Sequence, residues 1–229
     1  MADRLVLALA DDGQLQSLRD RAAVEILSWE MADEGARRHA DLVIDGCLGP
    51  LSLKRAHLQM IAQMGGKRIL TASVTATIRA QERWIASSEV HLIGYDPLLM
   101  RAQGTRQTVV AANSSNLLLL ESLWPDTSFI SVRDAVGLIF SREILPLINE
   151  AVAFVARGYE AHAVDRGMRL GLNYPMGPMA WADLFGWQSV YYGLLAMQDM
   201  YGERFRPHPW IRSQLGSSLL DREDELCGK

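Results

Sequence analysis

Short apolar runs alternate with stretches of helical periodicity over the first part of the chain. The runs predict buried strands, and they lie at residues 4–10, 23–29, 42–45, 68–72, 90–94, 108–112 and 128–132. Between them, helices are predicted at 13–21, 51–63 and 113–124, the last capped by Asn113 or Ser114. Strands that alternate with helices predict a mainly parallel sheet with helices on its faces.

The pattern changes after residue 133, where apolar positions begin to follow helical spacing. A long helix is predicted to start near Val136 and to run past Pro146, which should kink it. Further helices are expected at 161–170, with Gly171 as a left-handed cap, and at 179–185, 188–201 and 210–220. We therefore predict an α/β domain at 1–133 and an all-helical domain at 134–229.

One rigid turn lies between two of these predicted helices. Residues 172–187 read LNYPMGPMAWADLFGW, and both Pro175 and Pro178 fix their own φ angles. Gly177 is expected to give the backbone freedom between the two prolines. The simplest interpretation is a helix-to-helix link that buries its Met and Tyr side chains.

Composition excludes several classes of function. The chain has 229 residues, 49% of them hydrophobic, and a formal net charge of −4, so nothing indicates nucleic-acid binding. No apolar run is long enough to span a membrane, which predicts a cytoplasmic protein. Cys47 and Cys227 are far apart and indicate no disulfide framework. No metal site is predicted, because metal-ligand spacing is absent around the histidines, which are His39, His57, His91, His162 and His208.

The loop after the first strand lacks the usual features of a dinucleotide site. Such loops carry glycines that let the backbone approach a pyrophosphate at a helix N-terminus. Here the loop reads ALADDG, with Gly13 alone and with Asp11 and Asp12 where phosphates would lie. Like charges about 4 Å apart repel by roughly 4 kcal/mol at an effective dielectric constant near 20. We therefore predict no cofactor-binding residues.

Two motifs in the helical part resemble the C-terminal domain of 3-hydroxyacyl-CoA dehydrogenases. Residues 134–151 read DAVGLIFSREILPLINEA, against a family pattern of about DSPGFIVNRLLVPYLNEA, and residues 163–178 read AVDRGMRLGLNYPMGP, against DIDTAMKLGAGYPMGP. The segments 39–54 and 69–78 are similar to parts of the family's Rossmann domain. The resemblance implies a reduced Rossmann-like α/β domain followed by the all-α C-terminal domain. It is strongest to the second half of 3-hydroxyadipyl-CoA dehydrogenases of phenylacetate degradation.

The family's activity is NAD-dependent oxidation of a 3-hydroxyacyl-CoA, with a His base, a Glu that orients it, and a Ser and an Asn that hold substrate. None of the four is found. The His would follow Gly94, where the chain reads Tyr95-Asp96-Pro97, and no carboxylate follows Met100 in residues 101–108. The Ser aligns with Ala76 and the Asn with Ser141. We therefore predict no catalytic residues, and no cofactor unless NAD binding is retained.

Three functions stay open at this point. In the first, the chain is a non-catalytic partner that forms a homodimer, or a heteromer with an active dehydrogenase, through an apolar interface that includes Met176, Met179, Trp181 and Leu184. In the second, it is an active NAD-dependent enzyme with displaced residues, or one completed by a partner chain. In the third, it binds acyl-CoA in a cleft lined by Ser141, Arg142 and Asn149. A different polar site, formed by Tyr95 with Asp96 or by Ser73 with Thr75, is a further alternative.

Overall fold

The computed structural model describes residues 4–64, 68–85, 89–102 and 107–215. The chain divides into two compact units between Ser141 and Arg142. Residues 134–141, which the sequence placed in the helical part, group with the first unit because they bond to it. The Asp134 carboxylate accepts the backbone N–H of Ile78 at 3.0 Å, and the Gly137 N–H donates to the Ser73 carbonyl at 2.8 Å.

The first unit is built on a seven-stranded sheet in the order β2-β1-β3-β4-β5-β6-β7. Neighbouring strands are parallel except for the antiparallel pair β5 and β6, so the predicted mainly parallel sheet is confirmed. Its strands are β1 (Val6–Leu9), β2 (Ile26–Ser28), β3 (Leu42–Asp45), β4 (Arg68–Ala72), β5 (His91–Tyr95), β6 (Gln107–Ala111) and β7 (Ser128–Ser131).

Six helices accompany this sheet in the described residues. They are α1 (Asp12–Arg19), α2 (Glu34–His39), α3 (Leu51–Gln63), α4 (Ile78–Glu82), α5 (Pro97–Arg101) and α6 (Ser114–Leu123). The sequence predicted α1, α3 and α6, but α2, α4 and α5 were missed because five or six residues show no helical periodicity. Each of the three is instead fixed by the side chain of its N-cap residue, which is Asp33, Thr77 or Asp96.

The core of the first unit explains why its strands read as continuous apolar runs. Leu7, Val43 and Ile69 lie on three neighbouring strands and pack with Leu58 and Ile61 of α3, all of them fully buried. Strands of a parallel sheet are covered on both faces, so alternation with polar residues is lost.

The second unit is helical. Its elements are α7 (Phe140–Val155), which starts just before the unit boundary, α8 (Ala161–Leu172), α9 (Pro178–Phe185), α10 (Trp187–Tyr201), a 3-10 turn (Glu203–Phe205) and α11 (Pro209–Ser213). Pro146 lies inside α7 as expected, and the kink stays a prediction. The last predicted helix, 210–220, falls partly outside the described residues. No described helix is long and apolar enough for a bilayer span.

The predicted cap at Gly171 is wrong. Gly171 lies inside α8, and the left-handed residue after the helix is Asn173, with a φ of 55°. Asparagine tolerates this conformation better than other residues with a Cβ, which allows the helix to continue two residues further than predicted.

The role expected for Gly177 in the rigid turn is also wrong. Its φ is −81°, which any residue can adopt, so the turn does not require glycine for conformational freedom. A Cβ at this position would collide with the carboxyl group of Asp165. That carboxylate accepts the backbone N–H groups of Met179 at 2.8 Å and Ala180 at 3.0 Å and so caps the start of α9. Glycine is required because the Asp165 carboxylate of α8 occupies the space that a side chain at position 177 would need.

Candidate functional site

Polar side chains collect where the central parallel strands end. Asp45 at the end of β3 lies opposite Thr71 of β4, and Ala72 lies opposite Tyr95 of β5. Ligands of open parallel sheets bind outside the carboxyl ends of the strands, so this edge is the first place to look for a site.

The loop between β1 and α1 is occupied by the protein's own side chains. Asp11 is the N-cap of α1 and accepts the backbone N–H of Gln14 at 2.9 Å. A Cβ on Gly13 would lie 3.0 Å from Nη2 of Arg101, and a Cβ on Gly46 would collide with the amide of Gln14. The space beside both glycines is therefore filled, and this arrangement does not fit a dinucleotide pyrophosphate.

The next loop begins with a buried ion pair. The Asp45 and Lys54 side chains are both fully buried, and Lys54 Nζ donates to Asp45 Oδ2 at 2.8 Å. The Thr71 hydroxyl lies 3.0 Å from the same oxygen and 2.6 Å from Oε1 of Gln81. One carboxylate oxygen is thus held by a cation on α3 and by a hydroxyl on β4.

The second oxygen of Asp45 faces a histidine and a cysteine. Asp45 Oδ1 accepts the Cys47 backbone N–H at 3.3 Å and lies 3.5 Å from Nδ1 of His57. Contact with the Asp45 carboxylate, followed by contact with Cys47, raises the pKa of His57 to about 9, against the opposing effect of burial. Burial on its own would raise the pKa of Asp45, but the charge of Lys54 and the contacts with His57 outweigh it and lower that pKa. At neutral pH, His57 is an imidazolium beside a carboxylate.

The alternative polar site of the sequence analysis is buried in the first unit. The Asp96 carboxylate caps α5 through the Leu98 and Leu99 N–H groups and accepts both the N–H of Ser141, at 2.9 Å, and its hydroxyl, at 2.7 Å. Burial raises the pKa of Asp96 and of Tyr95. Asp96 therefore links α5 to the start of α7.

The other hydroxyl groups of this alternative site are buried as well. Ser73 Oγ, Thr75 Oγ1 and Tyr95 OH are buried atoms for which the structure gives no hydrogen-bond partner. Because these side chains are at most 3% exposed, they offer no accessible surface to a ligand.

The three residues of the predicted substrate cleft all make contacts within the chain. Ser141 is fully buried against Asp96. The Arg142 guanidinium lies over the ring of Tyr201, 4.0 Å from its centroid. Asn149 donates to the Arg206 carbonyl at 2.9 Å and accepts the N–H of His208 at 2.8 Å. The structure therefore gives each residue a structural contact, and the cleft itself stays a prediction.

Two of the four predicted interface residues are buried in the helical unit, and the interface itself stays a prediction. Met179 and Trp181 are each 5% exposed, and Met176 and Leu184 are half-buried. Exposed apolar side chains occur instead along α8 and next to it, and they are Phe154, Tyr159, Leu170 and Leu172. Leu170 is 76% exposed, and α8 has no buried residue at all.

Sequence reasoning missed the cluster around Asp45. Cys47 and His57 are ten positions apart, which matches no familiar ligand spacing, and the fold brings them together because α3 packs back against β3. One signal was present: Lys54 and His57 are three residues apart and so share one face of α3.

Comparisons with known proteins agree with the fold and with the motifs. Residues 137–225 match the family model described as "3-hydroxyacyl-CoA dehydrogenase, C-terminal domain". A probable 3-hydroxybutyryl-CoA dehydrogenase of Bacillus subtilis is 23% identical over 93% of this chain and 77% of its own length. A 3-hydroxyadipyl-CoA dehydrogenase of Escherichia coli is 37% identical over 37% of this chain, but only 18% of its own length is covered.

The chain is also similar to solved structures. The crystal structure of FadB2 from M. tuberculosis has a TM-score of 0.73 and 14% identity, over 95% of this chain and 96% of that one. At this identity the likeness shows a shared fold. Together with the match of residues 137–225, it confirms the predicted combination of a Rossmann-like α/β unit and a helical unit similar to the dehydrogenase C-terminal domain.

Proposed function

We propose that this chain, whose residues 137–225 carry a 3-hydroxyacyl-CoA dehydrogenase C-terminal domain, is a non-catalytic relative of those enzymes that serves acyl-CoA metabolism as an assembly partner. The partner is a second copy of the chain or a catalytically active dehydrogenase. The similarity of one segment to a 3-hydroxyadipyl-CoA dehydrogenase favours phenylacetate degradation as the setting.

The proposal that the chain is non-catalytic rests on the N-terminus of α1, where side chains of the protein occupy the place of a cofactor phosphate. Asp11 already accepts a hydrogen bond from the first turn of the helix, and Asp12 adds a second carboxylate there. A bound pyrophosphate would have to displace the cap and lie beside both carboxylates. Each close pair of like charges costs roughly 4 kcal/mol, which is close to a thousandfold in affinity. The Arg101 guanidinium, 3.9 Å from Asp11, offsets part of this repulsion for Asp11.

The proposal that the chain assembles with a partner is supported by helix α8. It carries Val164, Met168, Leu170 and Leu172, yet no residue of the helix is buried. Phe154 and Tyr159, which precede α8 in the chain, are also exposed, and their ring centroids lie 5.8 Å apart. An exposed apolar surface of this kind marks an interaction site in soluble proteins.

Assembly can be tested by light scattering on the wild-type chain and on Leu170→Ser. We expect a dimer, or a complex once the active dehydrogenase is added, that the substitution weakens at least tenfold. Leu118→Ser is the matched control, because Leu118 is 68% exposed but lies on α6 of the first unit. A wild-type chain that stays monomeric at high micromolar concentration, alone and with the dehydrogenase, would refute assembly.

A second candidate, an enzyme with displaced residues, is favoured by the pair of Asp45 and His57. A carboxylate that orients a histidine is the arrangement that general acid–base catalysis uses. However, a pKa of about 9 leaves His57 protonated at neutral pH, so it can donate a proton but cannot accept one from a substrate hydroxyl. This candidate predicts NADH-dependent reduction of a 3-ketoacyl-CoA that is lost in His57→Gln and kept in the helix α3 control Arg55→Gln.

A further inference from the structure

We propose that Asp45, Cys47 and His57 form a binding site for one divalent transition-metal ion, of which Zn²⁺ is the best match. Each residue offers one ligand atom, and the carboxylate oxygen, the thiol sulfur and the imidazole nitrogen all lie within 4.8 Å of one another. The three residues come from the end of β3, the loop after it, and α3, so the site is built inside the first unit.

The distances suit a tetrahedral ion. Zn–N and Zn–O bonds of about 2.0–2.2 Å place two ligand atoms about 3.3 Å apart on an edge of the tetrahedron. Asp45 Oδ1 and His57 Nδ1 lie 3.5 Å apart, so these two ligands are already close to the required spacing. The Cys47 sulfur lies within 4.8 Å of both atoms, and its residue is only partly buried.

The donor set selects the class of metal. A thiolate, an imidazole and a carboxylate together match Zn²⁺, whereas Mg²⁺ and Ca²⁺ prefer oxygen ligands alone. Binding releases the proton of the His57 imidazolium and that of the Cys47 thiol to solvent, so metal affinity rises with pH. Three protein ligands leave a fourth position for water, as in zinc sites with an open coordination position.

The contact between His57 and Asp45 marks the place of the ion. Nδ1 of His57 is a buried atom without a hydrogen bond of normal length, and it faces Asp45 Oδ1 as an ion pair at 3.5 Å. A metal ion bound between these two atoms would replace that ion pair.

The surroundings of Asp45 resemble the outer shell of a metal site. Its Oδ2 is held by Lys54 at 2.8 Å and by the Thr71 hydroxyl at 3.0 Å, which leaves Oδ1 directed towards His57. Carboxylates that bind metals are commonly oriented in this way by hydrogen bonds to the second oxygen. The carboxylate and the thiolate neutralise the ion, and the charge of Lys54 then favours an anion, such as hydroxide, at the fourth position.

The test uses Co²⁺ as a spectroscopic substitute for Zn²⁺ on the full-length chain stripped of metal. We expect one equivalent of Co²⁺ to give a thiolate-to-metal charge-transfer band and the intense visible bands of a tetrahedral ion, both abolished by Zn²⁺. Cys47→Ser should remove the charge-transfer band. His57→Gln should weaken Zn²⁺ binding by about tenfold or more, measured by competition with a chromophoric chelator.

Cys227→Ser is the control, because it removes the chain's other cysteine and should leave the spectrum unchanged. Circular dichroism of each variant without metal establishes that it is folded. Absence of the charge-transfer band in the wild-type chain would overturn the proposal, and so would a band that persists in Cys47→Ser and disappears in Cys227→Ser.

Discussion

Removing the charge of Lys54 should strongly destabilise the first unit. Lys54→Met keeps the length of the side chain but leaves the Asp45 carboxylate buried without its closest cation. At the observed separation of 2.8 Å and an effective dielectric constant of 20, the lost attraction is about 6 kcal/mol. The measured cost of breaking buried pairs is about 3–5 kcal/mol.

The loss should fall near the lower end of that range, at about 3 kcal/mol. The imidazolium of His57, 3.5 Å from Asp45 Oδ1, still offsets part of the unpaired negative charge of Asp45. Thr71 keeps its contact with Asp45 Oδ2. The double variant Asp45→Asn/Lys54→Met removes both charges, so it should regain most of the stability lost in Lys54→Met.

Urea unfolding followed by tryptophan fluorescence and by circular dichroism measures these differences, and agreement of the two signals checks that the transition is two-state. Arg55→Met is the matched control, since Arg55 is exposed on the same helix and should change stability by less than about 0.5 kcal/mol. If Lys54→Met costs less than about 1 kcal/mol, or if the double variant is no more stable than the single one, the buried ion pair does not have the role described.

Three further predictions concern packing, a buried hydrogen bond and pH. Gly177→Ala should lower the free energy of unfolding by about 1–3 kcal/mol in thermal unfolding, because its Cβ would collide with the Asp165 carboxyl group that caps α9. Gly167→Ala, in open space on α8, should stabilise slightly. Ser141→Ala should lower the free energy of unfolding by about 1.5–3 kcal/mol, since it removes the 2.7 Å hydrogen bond to Asp96. An unchanged midpoint of thermal unfolding would contradict this expectation. Because the pKa of His57 is raised to about 9 on folding, its contribution is complete below about pH 6.5 and is lost as pH rises through 9. In metal-free buffer, His57→Gln should therefore destabilise the protein at pH 6 but not at pH 10, and a constant difference across that range would be the contrary result.

The sheet could be predicted from the sequence because burial on both faces leaves its strands visibly apolar. Leu42–Asp45 and Arg68–Ala72 were placed correctly, and helix Leu51–Gln63 was placed correctly because thirteen residues suffice to display periodicity. Short helices such as Pro97–Arg101 depend on one capping side chain, here Asp96, and a single residue leaves no periodic signal.

The candidate site could not be predicted, because it arises from contacts between elements. Nothing in the sequence pattern marks Lys54 for burial, yet it is fully buried, and its pairing with Asp45 makes this burial tolerable. Likewise, Gly177 was correctly singled out, but its purpose depends on the carboxylate of Asp165, twelve positions earlier in the chain. Sequence patterns report periodicity and local turns, and they do not report which side chains meet.

The most direct test of the central claim is a titration of the purified protein with NADH, followed by energy transfer from its six tryptophans. The filled and acidic N-terminus of α1 predicts a flat response up to millimolar NADH. If the double variant Asp11→Gly/Asp12→Gly shows more energy transfer to NADH than the wild-type protein, the two carboxylates are what prevents NADH binding. Saturation of the wild-type protein in the micromolar range would contradict the account and would identify the chain as a dinucleotide-binding dehydrogenase.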